Sequence, residues 1–171
     1  MADIILQKLL ALLTAHHADY QVLHHPPART SEEAALIRGT PMTMGAKALL
    51  FQADDHEILL VAQAHRRIET RRFKRQHHIR DLHLVSPEIL LERYSLEIGA
   101  VPPFGSLLDV PTYVDNRLLA LSKIVFNAGS RSTSVILATA DYQAIEHPLA
   151  ERLASDDAGD VTVASIHGAP Q

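Results

Sequence analysis

The chain has 171 residues, of which 47% are hydrophobic and 21% charged, and its formal net charge is −4. This composition predicts one globular domain with a sizeable core, and the net charge argues against a generic polyanion binder. The absence of cysteine excludes disulfides, thiolate catalysis and cysteine metal sites, and the few aromatic residues argue against a broad base-stacking platform.

No apolar run reaches the roughly 18 residues that a membrane span needs. The apolar N-terminal stretch is interrupted by Asp3, Gln7 and Lys8, and it lacks the basic region and cleavage site of a secretory signal. We therefore expect a cytoplasmic protein with no membrane partner.

Apolar periodicity and turn residues predict alternating helices and strands. In chain order these are a helix at 3–17, a strand at 20–23, a helix between 30 and 39, strands at 46–52 and 57–63, a helix at 69–77, a strand at 82–85, a helix from 87, strands at 112–115, 123–126 and 133–138, and a last helix capped by Asp141. The second helix has the clearest ends, because Thr30 and Glu33 form a capping box and Gly39 supplies a stop.

Hairpins and crossovers both occur in this order of elements. We expect a single α/β domain on a mixed β-sheet that curls toward a barrel and is flanked by helices. The domain is expected to span residues 1–154. Residues 155–171 carry little periodicity and are expected to form a loose C-terminal tail.

The stretch Gly-Ala-Val-Pro-Pro-Phe-Gly at 99–105 holds two glycines and two prolines around an apolar centre. Prolines fix φ and glycines permit φ values that other residues avoid, whereas an ordinary solvent loop would use polar residues. We expect a stiff loop with bare backbone N–H groups, forming one wall of a binding site.

Two other features could face that wall. Lys47 has small or apolar neighbours in its predicted strand, so it is either a point charge for an anion in a cleft or an ordinary exposed lysine. The turn at 126–131 contains Gly129 and is either an anion-binding nest or a simple hairpin turn. It lacks the spacing of a P-loop or a dinucleotide fingerprint.

Metal and serine-hydrolase sites have little support. The eleven histidines come largely as adjacent pairs, whose side chains diverge, and none joins a zinc-hydrolase pattern. Ser130, Ser132 and Ser134 lack a Gly-x-Ser-x-Gly elbow. We expect no metal and no cofactor.

The segment 66–80 carries seven of the 16 basic residues and one of the 20 acidic residues. Such asymmetry steers a polyanion to one face, and the alternative is a solvated helix whose long side chains face water.

Four motifs together resemble one family. Thr-Ser-Glu-Glu-Ala-Ala at 30–35, Gly-Ala-Lys-Ala-Leu-Leu-Phe at 45–51, the loop at 99–105 and Phe-Asn-Ala-Gly-Ser-Arg at 126–131 are similar to the YbaK/ProX family of aminoacyl-tRNA deacylases. This family also supplies the editing domain of many bacterial prolyl-tRNA synthetases. The likeness runs from about residue 20 to residue 147.

The resemblance implies a free-standing, trans-editing deacylase that hydrolyses the ester between a small amino acid (Ala, Ser, Thr or Cys) and tRNA. It places Lys47 at the substrate carbonyl or at the terminal phosphate and ribose, and backbone N–H groups of Gly129 and Ser130 at the ester. The resemblance also implies that the substrate's 2′-hydroxyl helps activate water. The substrate-binding residues expected on this basis are Gly99, Val101, Pro102, Pro103, Phe104, Gly105, Thr30, His25 and Ser134.

Some of these positions have specific expected roles. Val101 and Phe104 are expected to limit the size of the acyl side chain. His25 stands where some members have tyrosine, and Ser134 where some carry aspartate. Those members act on cysteinyl-tRNA, so the departures argue against a cysteine-selective pocket.

The basic segment is the expected contact for the acceptor end of a mischarged tRNA, with no role in DNA binding. Its tRNA-binding residues are expected to be Arg66, Arg67, Arg71, Arg72, Lys74 and Arg75. An aminoacyl-tRNA synthetase is a second expected partner. Two alternatives stay open: a non-catalytic module that binds aminoacyl-adenosine, tRNA or a synthetase, and a hydrolase of other small esters. The sequence leaves open the amino acid removed, the preferred tRNA and the oligomeric state.

Overall fold

Three sheets and six helices make up residues 3–158, the part of the chain that the computed structural model describes. The helices are α1 (Asp3–Ala15), α2 (Ser31–Arg38), α3 (Thr70–Gln76), α4 (Pro87–Tyr94), α5 (Asn116–Leu119) and α6 (Thr139–Glu146). The strands are β1 (Tyr20–His24), β2 (Ala46–Ala53), β3 (His56–Gln63), β4 (Arg66–Ile68), β5 (Leu82–Leu84), β6 (Thr112–Asp115), β7 (Lys123–Ser130), β8 (Thr133–Ala138), β9 (Leu149–Glu151) and β10 (Ala154–Ala158).

The largest sheet has five strands in the order β5-β2-β3-β6-β9 and is mixed, since β2 pairs antiparallel with β3 and β5 while β6 runs parallel to β3 and β9. An antiparallel sheet β1-β8-β7 and a ribbon β4-β10 complete the set. A parallel bridge between Gly45 and Val125 joins the start of β2 to β7. The mixed α/β single domain predicted from the sequence is confirmed, and the sheet is not closed into a barrel.

Both faces of the central sheet are covered, which explains why β3 reads as a nearly continuous apolar run. Leu59 and Val61 belong to the main core, which includes Leu9 and Leu13 of α1. Leu60 points to the opposite face, in a second cluster that includes residues of α3 and β10. Each such buried side chain contributes about 1.5–3 kcal/mol relative to exposure.

Helix α2 has the ends that the sequence predicts. Thr30 Oγ1 accepts a hydrogen bond from the Glu33 N–H at 3.0 Å, and Gly39 adopts the left-handed conformation at φ 69°. The Glu33 carboxylate does not return to the N-cap residue as a full capping box requires, but accepts from the Arg29 N–H at 2.9 Å. Helix α2 is thereby tied to the loop that precedes it.

Two expectations about the C-terminal region need correction. Asp141 does not cap α6, because it lies inside the first turn and accepts from the Asp19 N–H at 2.8 Å. The expected tail begins inside β10, which pairs with β4 although its sequence has no apolar alternation. Arg66 accounts for this pairing, since its guanidinium donates to the Ser155 and Asp156 carbonyls at 3.2 and 2.7 Å. The rest of the tail lies outside the described residues.

Candidate functional site

A cavity of about 840 Å³, open mouth included, lies between helix α2, the first half of β2 and the loops that carry Gly99 and Arg131. Most of its lining is small or apolar, and the polar exceptions are mainly basic. The basic lining residues are His25, Arg29, Arg38, Lys47 and Arg131. Within residues 3–158, no aspartate or glutamate lines it.

Lys47 enters the cavity from β2. It is paired with Ala62 of β3, and its neighbours Ala46 and Ala48, which belong to the main core, also line the cavity. The Lys47 ammonium donates to the main-chain carbonyl of Arg66, and burial lowers the pKa of Lys47 to about 8. Its contact is with a neutral oxygen, so the charge in the cavity is not neutralised.

Arg38 is the last residue of α2 and lines the same cavity. Its Nε donates to Ser134 Oγ at 2.9 Å, and a terminal nitrogen donates to Asn127 Oδ1 at 2.8 Å. Burial lowers the pKa of Arg38 to about 10, so the guanidinium stays charged at neutral pH. Both partners are uncharged, which makes Arg38 a second cation without a carboxylate beside it.

His25 joins this network through Ser134, with 2.6 Å between His25 Nε2 and Ser134 Oγ. The other ring nitrogen, Nδ1, lies 2.9 Å from the Pro26 carbonyl, which can only accept, so Nδ1 carries a proton. Nε2 lies beside the Ser134 hydroxyl, which also donates to Asn127 Oδ1 at 3.2 Å. Ser134 is fully buried behind the ring and positions it, while His25 lines the cavity.

Asn127 connects the network to the Gly-Pro-Pro loop. Its Nδ2 donates to the Gly99 carbonyl at 2.7 Å, and the Gly129 N–H donates to the Ala100 carbonyl at 2.9 Å. Gly99 and Gly129 both need positive φ, at 86° and 87°, which explains the glycines. The Gly129 N–H, predicted to hold the ester, is thus already bonded. Gly129 and Ser130 lie outside the cavity lining.

The loop from Gly99 to Gly105 divides between the cavity and the core. Gly99 and Val101 line the cavity, whereas Pro102, Pro103, Phe104 and Gly105 are buried away from it. Phe104 packs edge-on against Tyr142 at a centroid distance of 5.2 Å. A Cβ on Gly105 would lie 2.4 Å from Thr112 Oγ1, so this glycine permits a close packing contact. The loop thus contributes one wall residue with a side chain, Val101.

The basic residues of segment 66–80 have different environments. Arg66 holds β10 and donates to Gln63 Oε1 at 2.9 Å, and Arg72 pairs with Glu69 at 3.6 Å. Arg71 and Arg75 are exposed on α3, and Lys74 is partly exposed. Arg67 is exposed on β4, and it is engaged with another group of the protein rather than free. The solvated charge is therefore concentrated on α3, immediately after the strand whose Arg66 carbonyl binds Lys47.

The structure adds residues that the sequence analysis did not single out. Arg38, Asn127 and Ser31 lie at the cavity, and Ser31 Oγ donates to the Ala64 carbonyl at 3.0 Å. Arg131 donates to the Ala28 carbonyl at 3.0 Å. Arg38 lies four residues after Ala34 on α2 and both line the cavity, but which side of a helix faces inward depends on packing that the sequence does not display.

Across residues 3–158, no cluster of three or more histidine, aspartate or glutamate side chains could hold a metal ion. None of the helices described there is long and apolar enough to cross a membrane.

Comparison with known proteins relates the chain that forms this cavity to a known family. Residues 25–145 match the family model described as the aminoacyl-tRNA editing domain. The chain is 34% identical over 149 residues to an Escherichia coli K12 protein named multifunctional Ser/Thr-tRNA deacylase ProXp-y, covering 83% of this chain and 88% of that protein. It is also 26% identical over 106 residues to the proline–tRNA ligase of Bacillus subtilis, covering 62% of this chain and 19% of the ligase.

One similar solved structure is that of a candidate trans-editing enzyme for prolyl-tRNA synthetase. It superposes with a TM-score of 0.76 at 22% identity, over 88% of this chain and 96% of the other. At that identity the likeness supports the fold.

Proposed function

The chain belongs to the aminoacyl-tRNA editing domain family, and we propose that its cavity holds the aminoacylated 3′ end of a mischarged tRNA. The protein is an aminoacyl-tRNA deacylase, which hydrolyses the ester bond between the amino acid and the tRNA. The observation that carries our assignment of the site is the pair of partly buried cations, Lys47 and Arg38, in one cavity with uncharged partners.

These cations suit an ester substrate because hydrolysis creates negative charge on the carbonyl oxygen. Water attacks the acyl carbon, a new carbon–oxygen bond forms, and the bond to the ribose oxygen breaks as that oxygen takes a proton. We assign Lys47 to stabilisation of the developing oxyanion. Arg38 adds its positive charge to the electrostatic field at the same oxygen. A preorganised donor of this kind contributes about 10²–10³ in rate. The ester is already activated, so no side-chain nucleophile is required.

We propose serine and threonine as the preferred acyl groups. The named E. coli relative is a Ser/Thr-tRNA deacylase. In this chain Thr30, Ser31, Thr40 and Asn127 line the cavity, and the Thr40 hydroxyl, which has no hydrogen-bond partner among the described residues, is available to a hydroxyl-bearing side chain. Val101 is the apolar wall that limits size. An apolar wall discriminates one methylene only about 10–200-fold, so polar contacts have to add to the selection.

We further propose that α3 binds the acceptor end of the tRNA. Arg71, Lys74 and Arg75 present their charge on a helix that follows β4, and the Arg66 carbonyl of β4 holds Lys47. Phosphate contacts of this kind position an RNA without reading its sequence. Contact with an aminoacyl-tRNA synthetase and a cytoplasmic location are part of the same proposal.

A panel experiment tests the proposed function. The full-length protein is incubated with tRNAs charged with serine, threonine, alanine and cysteine, and with the corresponding small aminoacyl esters. Rapid turnover of seryl- and threonyl-tRNA supports the proposal. Turnover of only the small esters would indicate a different hydrolase, and binding without turnover a non-catalytic module.

A further inference from the structure

The cavity has an excess of positive charge that the hydrolytic reaction alone does not require. Four permanently basic side chains, Arg29, Arg38, Lys47 and Arg131, line it, and no carboxylate of residues 3–158 does. A positively charged group on a ligand would therefore meet like charge here.

Main-chain carbonyls could also receive an ammonium, and four of them at or beside the cavity already have donors. The Ala28 carbonyl accepts from Arg131 and the Arg66 carbonyl from Lys47. The Gly99 carbonyl accepts from Asn127 Nδ2, and the Ala64 carbonyl from Ser31 Oγ. Each of these four carbonyls thus already binds a donor of the protein, with which an ammonium would have to compete.

This matters because an aminoacyl ester carries an α-amino group, which titrates at about 7.7–8.0 and is an ammonium below that range. Resting on the proposed function, we propose that this site recognises the acyl group without contact to an α-ammonium. It therefore hydrolyses uncharged α-hydroxyacyl esters of tRNA, such as glyceryl-tRNA, in which a hydroxyl replaces the amine of serine. In that reaction water adds to the ester carbon, and glyceric acid and free tRNA are the products.

The test compares seryl-tRNA with glyceryl-tRNA on the same tRNA, using full-length protein. Each kcat/KM is divided by the uncatalysed rate at the same pH, because an α-ammonium speeds spontaneous hydrolysis. At about pH 6 we expect glyceryl-tRNA to be preferred at least about 10-fold, since like charges repel strongly at a partly buried site. The preference should approach one at about pH 9, where the amine is neutral. Loss of the Lys47 charge above about pH 8 acts in the same direction, because it removes one of the repelling charges.

A variant that adds a carboxylate provides the matched control. Ala34 lines the cavity on α2, four residues before Arg38, so Ala34→Glu supplies an acid and Ala34→Gln the same bulk without charge. We expect Ala34→Glu to bring the ratio at about pH 6 close to one, and Ala34→Gln to preserve it.

The outcomes separate this inference from the proposed function. Hydrolysis of seryl-tRNA with little or no hydrolysis of glyceryl-tRNA at about pH 6 overturns the inference and leaves the deacylase assignment standing. Hydrolysis of neither ester overturns the proposed function and the inference with it.

Discussion

The Lys47 ammonium donates to the main-chain carbonyl of Arg66, the residue that begins β4. The Arg66 side chain points elsewhere and holds β10 through the Ser155 and Asp156 carbonyls. One residue therefore fixes the cavity lysine with its backbone and the C-terminal strand with its guanidinium. The position of the charge in the cavity thus depends on the strand that leads into the basic helix α3.

Lys47→Met should abolish most deacylation, because it removes the cation assigned to the oxyanion. We expect kcat/KM for seryl-tRNA to fall about 10²–10³-fold, with the circular dichroism spectrum unchanged. Lys123→Met is the matched control, since Lys123 is an exposed lysine at the start of β7. Full activity of the Lys47 variant would remove this residue from the reaction.

The same substitution should alter the pH dependence of stability. Burial lowers the folded pKa of Lys47 to about 8, against 10.5 for the ordinary side chain. Below about 8 both states are protonated, and the cost of burying the charge is fully present. Between about 8 and 10.5 the unfolded chain binds more protons, so the stability of the wild type rises relative to Lys47→Met.

Urea unfolding between about pH 7 and about pH 10 measures this effect. The stability of the variant minus that of the wild type should decrease above about pH 8, by at most about 1.4 kcal/mol per pH unit. A difference that stays constant with pH would show that Lys47 is hydrated in the folded protein.

Arg38 should be needed both for its charge and for its fork of donors. We expect Arg38→Met to lower kcat/KM about 10–100-fold, and Arg38→Lys to recover part of the loss, because lysine keeps the charge but lacks the planar fork. Ser134→Ala keeps the charge and removes the hydroxyl that links Arg38 to His25 and to Asn127. We expect kcat/KM to fall less in this variant than in Arg38→Met. Arg38→Met with wild-type kcat/KM would contradict the role.

The sequence predicted what local patterns encode. Thr30 and Gly39 mark the ends of α2 because capping depends on a few neighbouring residues, and Lys47 was found as a cation among apolar neighbours. The cation Arg38 was missed because its partners, Asn127 and Ser134, lie 89 and 96 residues further along the chain. Such contacts form only when β7 and β8 close over the helix end.

The Gly-Pro-Pro loop shows the opposite limit. Its glycines and prolines indicated a stiff turn, and Gly99 does adopt positive φ. Composition could not tell which residues of the loop face the cavity, because the core and a binding pocket both favour apolar side chains. Val101 and Phe104 therefore looked equivalent in the sequence, although the structure places them in different surroundings.

Neutralising the exposed charge of α3 should weaken tRNA binding without slowing the chemistry. We expect the combined substitution Arg71→Gln, Lys74→Gln and Arg75→Gln to raise KM and to leave kcat near its wild-type value. The dependence of log KM on log salt should become less steep by about one for each phosphate that the helix no longer neutralises. Lys8→Gln on α1 is the control, since Lys8 is an exposed lysine outside the basic segment. An unchanged KM and salt slope would remove α3 from the interface.

Val101 and Phe104 should differ in what their substitution changes. Val101 lines the cavity, so Val101→Ala enlarges the acyl site. This variant should raise kcat/KM for bulkier esters such as valyl-tRNA relative to seryl-tRNA, by about 10-fold for each methylene accommodated. Phe104 is fully buried against Phe126 and Tyr142. Phe104→Leu should therefore lower the free energy of unfolding by roughly 1–3 kcal/mol through poorer packing, and leave the ratio of the two esters unchanged. Acyl-tRNA competition assays and urea unfolding of both variants measure the two effects. A specificity change in the Phe104 variant, with Val101→Ala silent, would move the acyl pocket to the other side of the loop.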